Sequence, residues 1–97
     1  MTIQEKLTLA FKDLRKLGYF ARQNFMCCQT CGWDAVPEGR EKVVFYHAQD
    51  KATLDKRGYC YLAWSGNGNE IVATLRNRGL TAEWNGTDGN RIKVTEN

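Results

Sequence analysis

From residue 3 onward, apolar side chains recur at three- and four-residue spacings: Ile3, Leu7, Ala10, Phe11, Leu14 and Leu17, with Gly18 next. That period predicts an amphipathic helix, begun by the capping-box pair Thr2 and Glu5 and closed by Gly18. Its other face carries Lys6, Lys12, Asp13, Arg15 and Lys16, the makeup of a solvated helix surface. Residues 19–26 read as extended, and a short helix is expected from 29 to about 36, stopped by Pro37 and Gly39. Residues 42–48, KVVFYHA, are largely β-branched and aromatic, the pattern of a central strand covered on both faces. Asp50 is expected to cap a short helix over 51–57 that stops at Gly58, and YCYLAW at 59–64 makes another strand.

Ser65, Gly66, Asn67 and Gly68 form a turn, after which a helix starting at Asn69 or a neighbour buries Ile71, Val72 and Leu75 and ends at Gly79. Leu80, Ala82 and Trp84 then alternate with Thr81 and Glu83, and Ile92 and Val94 alternate with Arg91, Lys93 and Thr95. Residues 80–95 are therefore expected to form an antiparallel hairpin across the NGTDGN loop. The order αβαβαβαββ places the chain in the α/β (α+β) class, with one mixed sheet of about five strands and about four helices. A chain of 97 residues has room for one such core, a single domain over 1–97.

Composition narrows the class. The apolar share of 42% and charged share of 26% are those of a folding chain and exclude a disordered one. No stretch approaches the roughly 18 apolar residues of a membrane span, and the charged N-terminus lacks a signal-peptide pattern, so a soluble cytoplasmic protein without membrane contact is expected. The net charge of +3 is small, and its excess lies in residues 1–22, which argues against nucleic acid as the partner. There is no P-loop, GxGxxG or HExxH to indicate nucleotide hydrolysis, dinucleotide chemistry or zincin proteolysis.

The chemistry-bearing stretch is Asn24-Phe25-Met26-Cys27-Cys28-Gln29-Thr30-Cys31-Gly32-Trp33, where an extended segment passes into a helix. Without a secretory context its thiols are read as reduced. Cys28 and Cys31 have the CxxC spacing that brings two thiolates to one zinc. Cys27 and His47, the sole histidine, are the further candidate ligands, with Cys60 as an outside member. The cofactor expectation is thus none or one zinc. The same residues could serve thiol catalysis, with Cys28 as a nucleophile activated at a helix N-terminus, His47 as base, and Asp50 or Gln49 orienting it. The opposing view makes all four cysteines small buried hydrophobes and His47 a satisfied strand-end residue. It fits Cys60 best, because Leu62 and Trp64 share its face. Trp33, Trp64 and Trp84, with Tyr19, Tyr46, Tyr59 and Tyr61, are numerous enough to line a pocket for a flat ligand. Trp33, Tyr46 and Gln49 are the candidate contacts to it, and Arg76 and Arg78, seconded by Arg91 and Lys93, the candidate phosphate holders.

NFMCCQTCGW, then VVFYHAQD, then YLAW and a WNG hairpin together resemble an uncharacterised bacterial and phage family, a domain of unknown function, over roughly residues 18–95. Asn24, Phe25, Cys27, Cys28, Cys31, Gly32, His47, Gln49 and Asp50 carry the resemblance, which implies that they belong together. With the small size, it also implies a phage or mobile-element protein that blocks a host defence system. The leading expectation is therefore a non-catalytic binder of a host protein or a nucleotide-like signal, with self-association as a further assembly. The alternative is a thiol- or zinc-dependent enzyme using Cys28, Cys31, His47 and Asp50.

Overall fold

A computed structural model of the chain describes residues 2–87 and 89–96. Its elements are α1 (Ile3–Lys16), β1 (Phe20–Arg22), α2 (Gln29–Ala35), β2 (Val43–Phe45), α3 (Ala48–Arg57), β3 (Tyr59–Ser65), α4 (Gly68–Asn77), β4 (Leu80–Glu83) and β5 (Ile92–Glu96). The five strands form one mixed sheet in the order β1-β2-β3-β5-β4. Only β1 and β2 are parallel; the other three pairings are antiparallel, the hairpin of β4 and β5 among them. The α+β class, the element order and the mixed sheet are those the sequence predicts. Asp88, inside the NGTDGN loop, lies outside the described residues.

Alternation along the strands sorts the side chains onto two faces. Ala21, Val44, Cys60, Leu62, Trp64, Ala82, Ile92 and Val94 point to the inner face, where Leu7, Phe11 and Leu14 of α1, Leu54 of α3 and Ile71 and Leu75 of α4 cover them. Each of these large side chains, fully withdrawn from water, contributes about 1.5–3 kcal/mol. Phe20, Val43, Phe45 and Ala63 point the other way and form a smaller cluster with Phe25, Trp33 and Val36. On this outer face α2 shields β1 and β2. Tyr59, Tyr61, Thr81, Glu83, Lys93 and Thr95, facing outward in register, remain at least partly exposed.

The helix ends follow local chemistry. The Thr2–Glu5 capping box starts α1, and Gly18 leaves it with φ 94°. Asn67 caps α4 by accepting from the Glu70 N–H, so the helix begins within the expected turn. The start of α3 needs a correction. His47, and not Asp50, is its N-cap: His47 Nδ1 accepts from the Asp50 N–H at 3.4 Å and the helix begins at Ala48. Asp50 is thereby drawn into the first turn, and β2 ends earlier than the hydrophobic run does. β2 is an interior strand covered on both faces, while β3 holds the middle of the sheet.

Candidate metal centre

Because β1 and β2 run parallel, both carboxyl ends emerge at the same edge of the sheet, the position at which open α/β sheets place their sites. The β1–α2 connection carries the cysteines there, and β2 leads into His47. The connection is held to β2 by its backbone: the Phe25 N–H donates to the Tyr46 carbonyl at 2.8 Å, and the Ala48 N–H to the Met26 carbonyl at 3.0 Å. Asn24 and Met26 adopt the left-handed conformation, with φ of 50° and 64°. Each such non-glycine residue costs on the order of 1 kcal/mol, offset here by Phe25. Its ring lies edge-on to Phe20 at 5.6 Å and to Phe45 at 5.7 Å. The loop is thus bent outward on an aromatic anchor, and the bend lifts Cys27 and Cys28 to the rim.

Cys28 is the N-cap residue of α2, and its carbonyl accepts from the Gly32 N–H at 2.9 Å. Cys31 stands three residues further on, the same side of a helical turn. Gly32 sets the depth of the helix: a Cβ there would run into the Phe45 ring, so only glycine lets α2 lie directly on it. Trp33 completes the seat, edge-on to Phe45 at 5.1 Å. The outcome is that the sulfurs of Cys27, Cys28 and Cys31 all lie within 4.8 Å of one another, with Cys27 and Cys28 Sγ 3.9 Å apart. Cys27 is exposed, and Cys28 and Cys31 are half-buried.

Cys28 and Cys31 do not share one acidity. The backbone N–H of Cys31, followed by the Cys31 thiol, stabilises the Cys28 thiolate and pulls that thiol below its ordinary value. Cys31 is pushed up to about 11, first by its contact with the Cys27 thiol and then by that with Cys28. Cys60 is of another kind: it is fully buried in the inner core, and burial pushes its thiol up to about 12.

Beside the thiols lies a chain of polar groups. His47 Nε2 is 3.2 Å from Asp50 Oδ2, both side chains being buried. Arg91 crosses β3 and donates through Nη2 to the same carboxylate oxygen and to the Tyr61 carbonyl, the latter at 2.7 Å. His47, Asp50 and Arg91 thus tie the start of α3 to the segment that leads into β5. The link to Arg91 spans 41 residues and has no local signature in the sequence. The expected pairing of His47 with Asp50 is present; the thiols form a separate group, which among the described residues contains no histidine or carboxylate.

The residues expected to bind a flat ligand are dispersed. Tyr46 is buried in the inner core, edge-on to Phe11, its hydroxyl accepting from Gln23 Nε2 at 3.1 Å. Gln49 is exposed on α3. Arg76 donates to the Ala82 carbonyl, and Arg78 forms a two-point pair with Asp13 at 2.7 and 3.0 Å. Of Trp33, Tyr46, Gln49, Arg76 and Arg78, Trp33 alone borders the outer-face groove, where it is joined by Arg91 and Lys93, the other two expected phosphate holders. There, adjoining depressions of about 210, 510 and 520 Å³ share Asn90 and Arg91 and run from Gln29 and Trp33 past Tyr61 to Trp84 and Lys93. Gln29, the groove's first lining residue, follows Cys28 directly in the chain. Another depression, along Thr2, Gln4, Glu5, Thr8 and Leu9 on α1, shares no residue with it.

No helix among the described residues is long and apolar enough to cross a membrane. The chain belongs to the family described as a domain of unknown function, DUF6891, whose model matches residues 1–97. Comparison with curated proteins and with solved structures gives no match.

Proposed function

We propose that this domain is a small non-catalytic binding module built on a zinc centre held by Cys27, Cys28 and Cys31. The observation that carries the reading is the sulfur geometry. Two thiolates on one tetrahedral zinc, each about 2.3 Å from it, stand about 3.8 Å apart, and Cys27 and Cys28 Sγ are 3.9 Å apart with Cys31 Sγ within 4.8 Å of both. The loop is held in this form by backbone bonds and by Phe25, so the donors are gathered before an ion arrives. Thiols must be deprotonated to bind, and the raised acidity of Cys28 supplies a first thiolate from which the ion draws in the other two.

Three thiolates give zinc a net negative charge and weaken it as a Lewis acid. Such a centre is poor at ionising water, which favours binding over hydrolysis. The groove from Gln29 to Trp84 is the surface this reading gives to a protein or nucleotide-like partner. Reduced thiols also suit a cytoplasmic setting. The test is competition for zinc against a chromophoric chelator. One equivalent per chain is expected, with affinity falling at least about tenfold on Cys27→Ser, Cys28→Ser or Cys31→Ser and unchanged on Cys60→Ala. Equal affinity in all four variants would remove the centre.

The second reading, a thiol-dependent enzyme, draws on the opposite acidities of Cys28 and Cys31, one favouring the thiolate and the other the thiol. It predicts that Cys28→Ser abolishes turnover of a thiol-reactive substrate while Cys27→Ser does not. Equal loss in both variants would speak for the metal instead.

A further inference from the structure

Resting on the zinc reading, we infer that the fourth coordination position is filled from outside the chain, by a thiolate of a small thiol or of a partner's cysteine. The chain's own donors are otherwise engaged. His47 is the only histidine, and both its ring nitrogens face Asp50: Nδ1 takes the Asp50 N–H, and Nε2 lies 3.2 Å from the carboxylate. Turning this ring toward the thiols would uncap α3 and leave Asp50 with Arg91 alone. Cys60 is fully buried in the inner-face core, on the side of the sheet opposite α2. Among the described residues, no further histidine, cysteine or carboxylate joins the three sulfurs.

The cluster is accessible, because Cys27 is exposed and Cys28 and Cys31 are only half-buried. Zinc with three thiolates selects a soft fourth donor, and the closed four-sulfur set is the common stable outcome. The exchange balances without a redox partner. Water leaves the ion, the incoming thiol gives its proton to solvent, and a zinc–sulfur bond replaces the zinc–oxygen bond.

The test uses the full chain loaded with cobalt(II), whose sulfur-to-metal absorption scales with the number of thiolates. Adding 2-mercaptoethanol or reduced glutathione is expected to raise that absorption saturably by about one third, from three sulfurs to four, with the cobalt content unchanged. The ring nitrogens of His47, followed by ¹⁵N NMR on zinc loading, are expected to keep their shifts. No substitution of this buried residue is then needed. Saturation by small thiols names them as the source. A dimer on metal loading, with four sulfurs per ion before any thiol is added, names a second copy, which also supports the inference. An unchanged spectrum in a monomer, loss of cobalt to the added thiol, or a metal-induced shift of His47 would overturn it. Absence of cobalt or zinc uptake would instead remove the zinc reading, and this inference with it.

Discussion

On the inner face of the sheet three helices lie over one continuous apolar cluster, and the cysteine there, Cys60, is wholly withdrawn from water. On the outer face one seven-residue helix shields two strands, and at its start three cysteines stand together at the rim. Residue type is the same and surroundings differ. Burial raises the Cys60 thiol and leaves it inert, whereas the Cys31 backbone N–H favours the thiolate of Cys28. The inner face supplies stability. The outer face needs only enough apolar contact, through Phe25, Trp33 and Phe45, to hold a bent loop still.

The comparison is broken most severely at Phe45, the ring on which α2 sits. Phe45→Ala is expected to lower unfolding stability by about 3–5 kcal/mol in urea denaturation. It should weaken zinc binding too, whereas Phe11→Ala on the inner face should cost a similar amount with zinc affinity unaltered while the protein is folded. Next comes Asp50→Asn, which leaves Arg91 and His47 facing a neutral amide. Since Arg91 is 30% exposed, the loss should be about 2 kcal/mol, below that of a fully enclosed pair.

The inner-face thiol predicts an alkaline weakness. An unfolded Cys60 titrates near 9 and the folded one at about 12. Above pH 9 the unfolded chain holds fewer protons than the folded one, so stability falls as pH rises, by about 1.4 kcal/mol per pH unit from this group. Cys60→Ala should therefore flatten the decline between pH 9 and 10, measured by denaturation at each pH; an unchanged slope would place the loss elsewhere. The smallest effect sharpens the comparison without altering stability. In the metal-free protein at pH 8, iodoacetamide should modify Cys28 before Cys31 and leave Cys60 untouched until unfolding, read by peptide mass mapping.

Much of this division is visible in the sequence because it rests on short-range pattern. The spacing of Leu7, Phe11 and Leu14 and the alternation of Cys60, Leu62 and Trp64 identify the inner face, and the CCxxC run marks the rim. Contacts made across the sheet are a different matter. Asp50 reads locally as a cap, yet Arg91, just before β5, claims its carboxylate, and capping falls to His47. Tyr46, Arg76 and Arg78 are types suited to a ligand, but the inner core, the Ala82 carbonyl and Asp13 engage them. The groove sets Gln29 of α2 beside Asn90 and Arg91 of the β4–β5 connection, residues some sixty positions apart that the strand order brings together.

Native mass spectrometry of the zinc-reconstituted chain, set beside its denatured mass, tests the three-thiol centre most directly. The expected result is an excess of one zinc per chain, lost on denaturation, absent from the Cys27→Ser, Cys28→Ser, Cys31→Ser triple variant and kept by Cys60→Ala. A chain that stays folded with four free thiols and carries no zinc would contradict it.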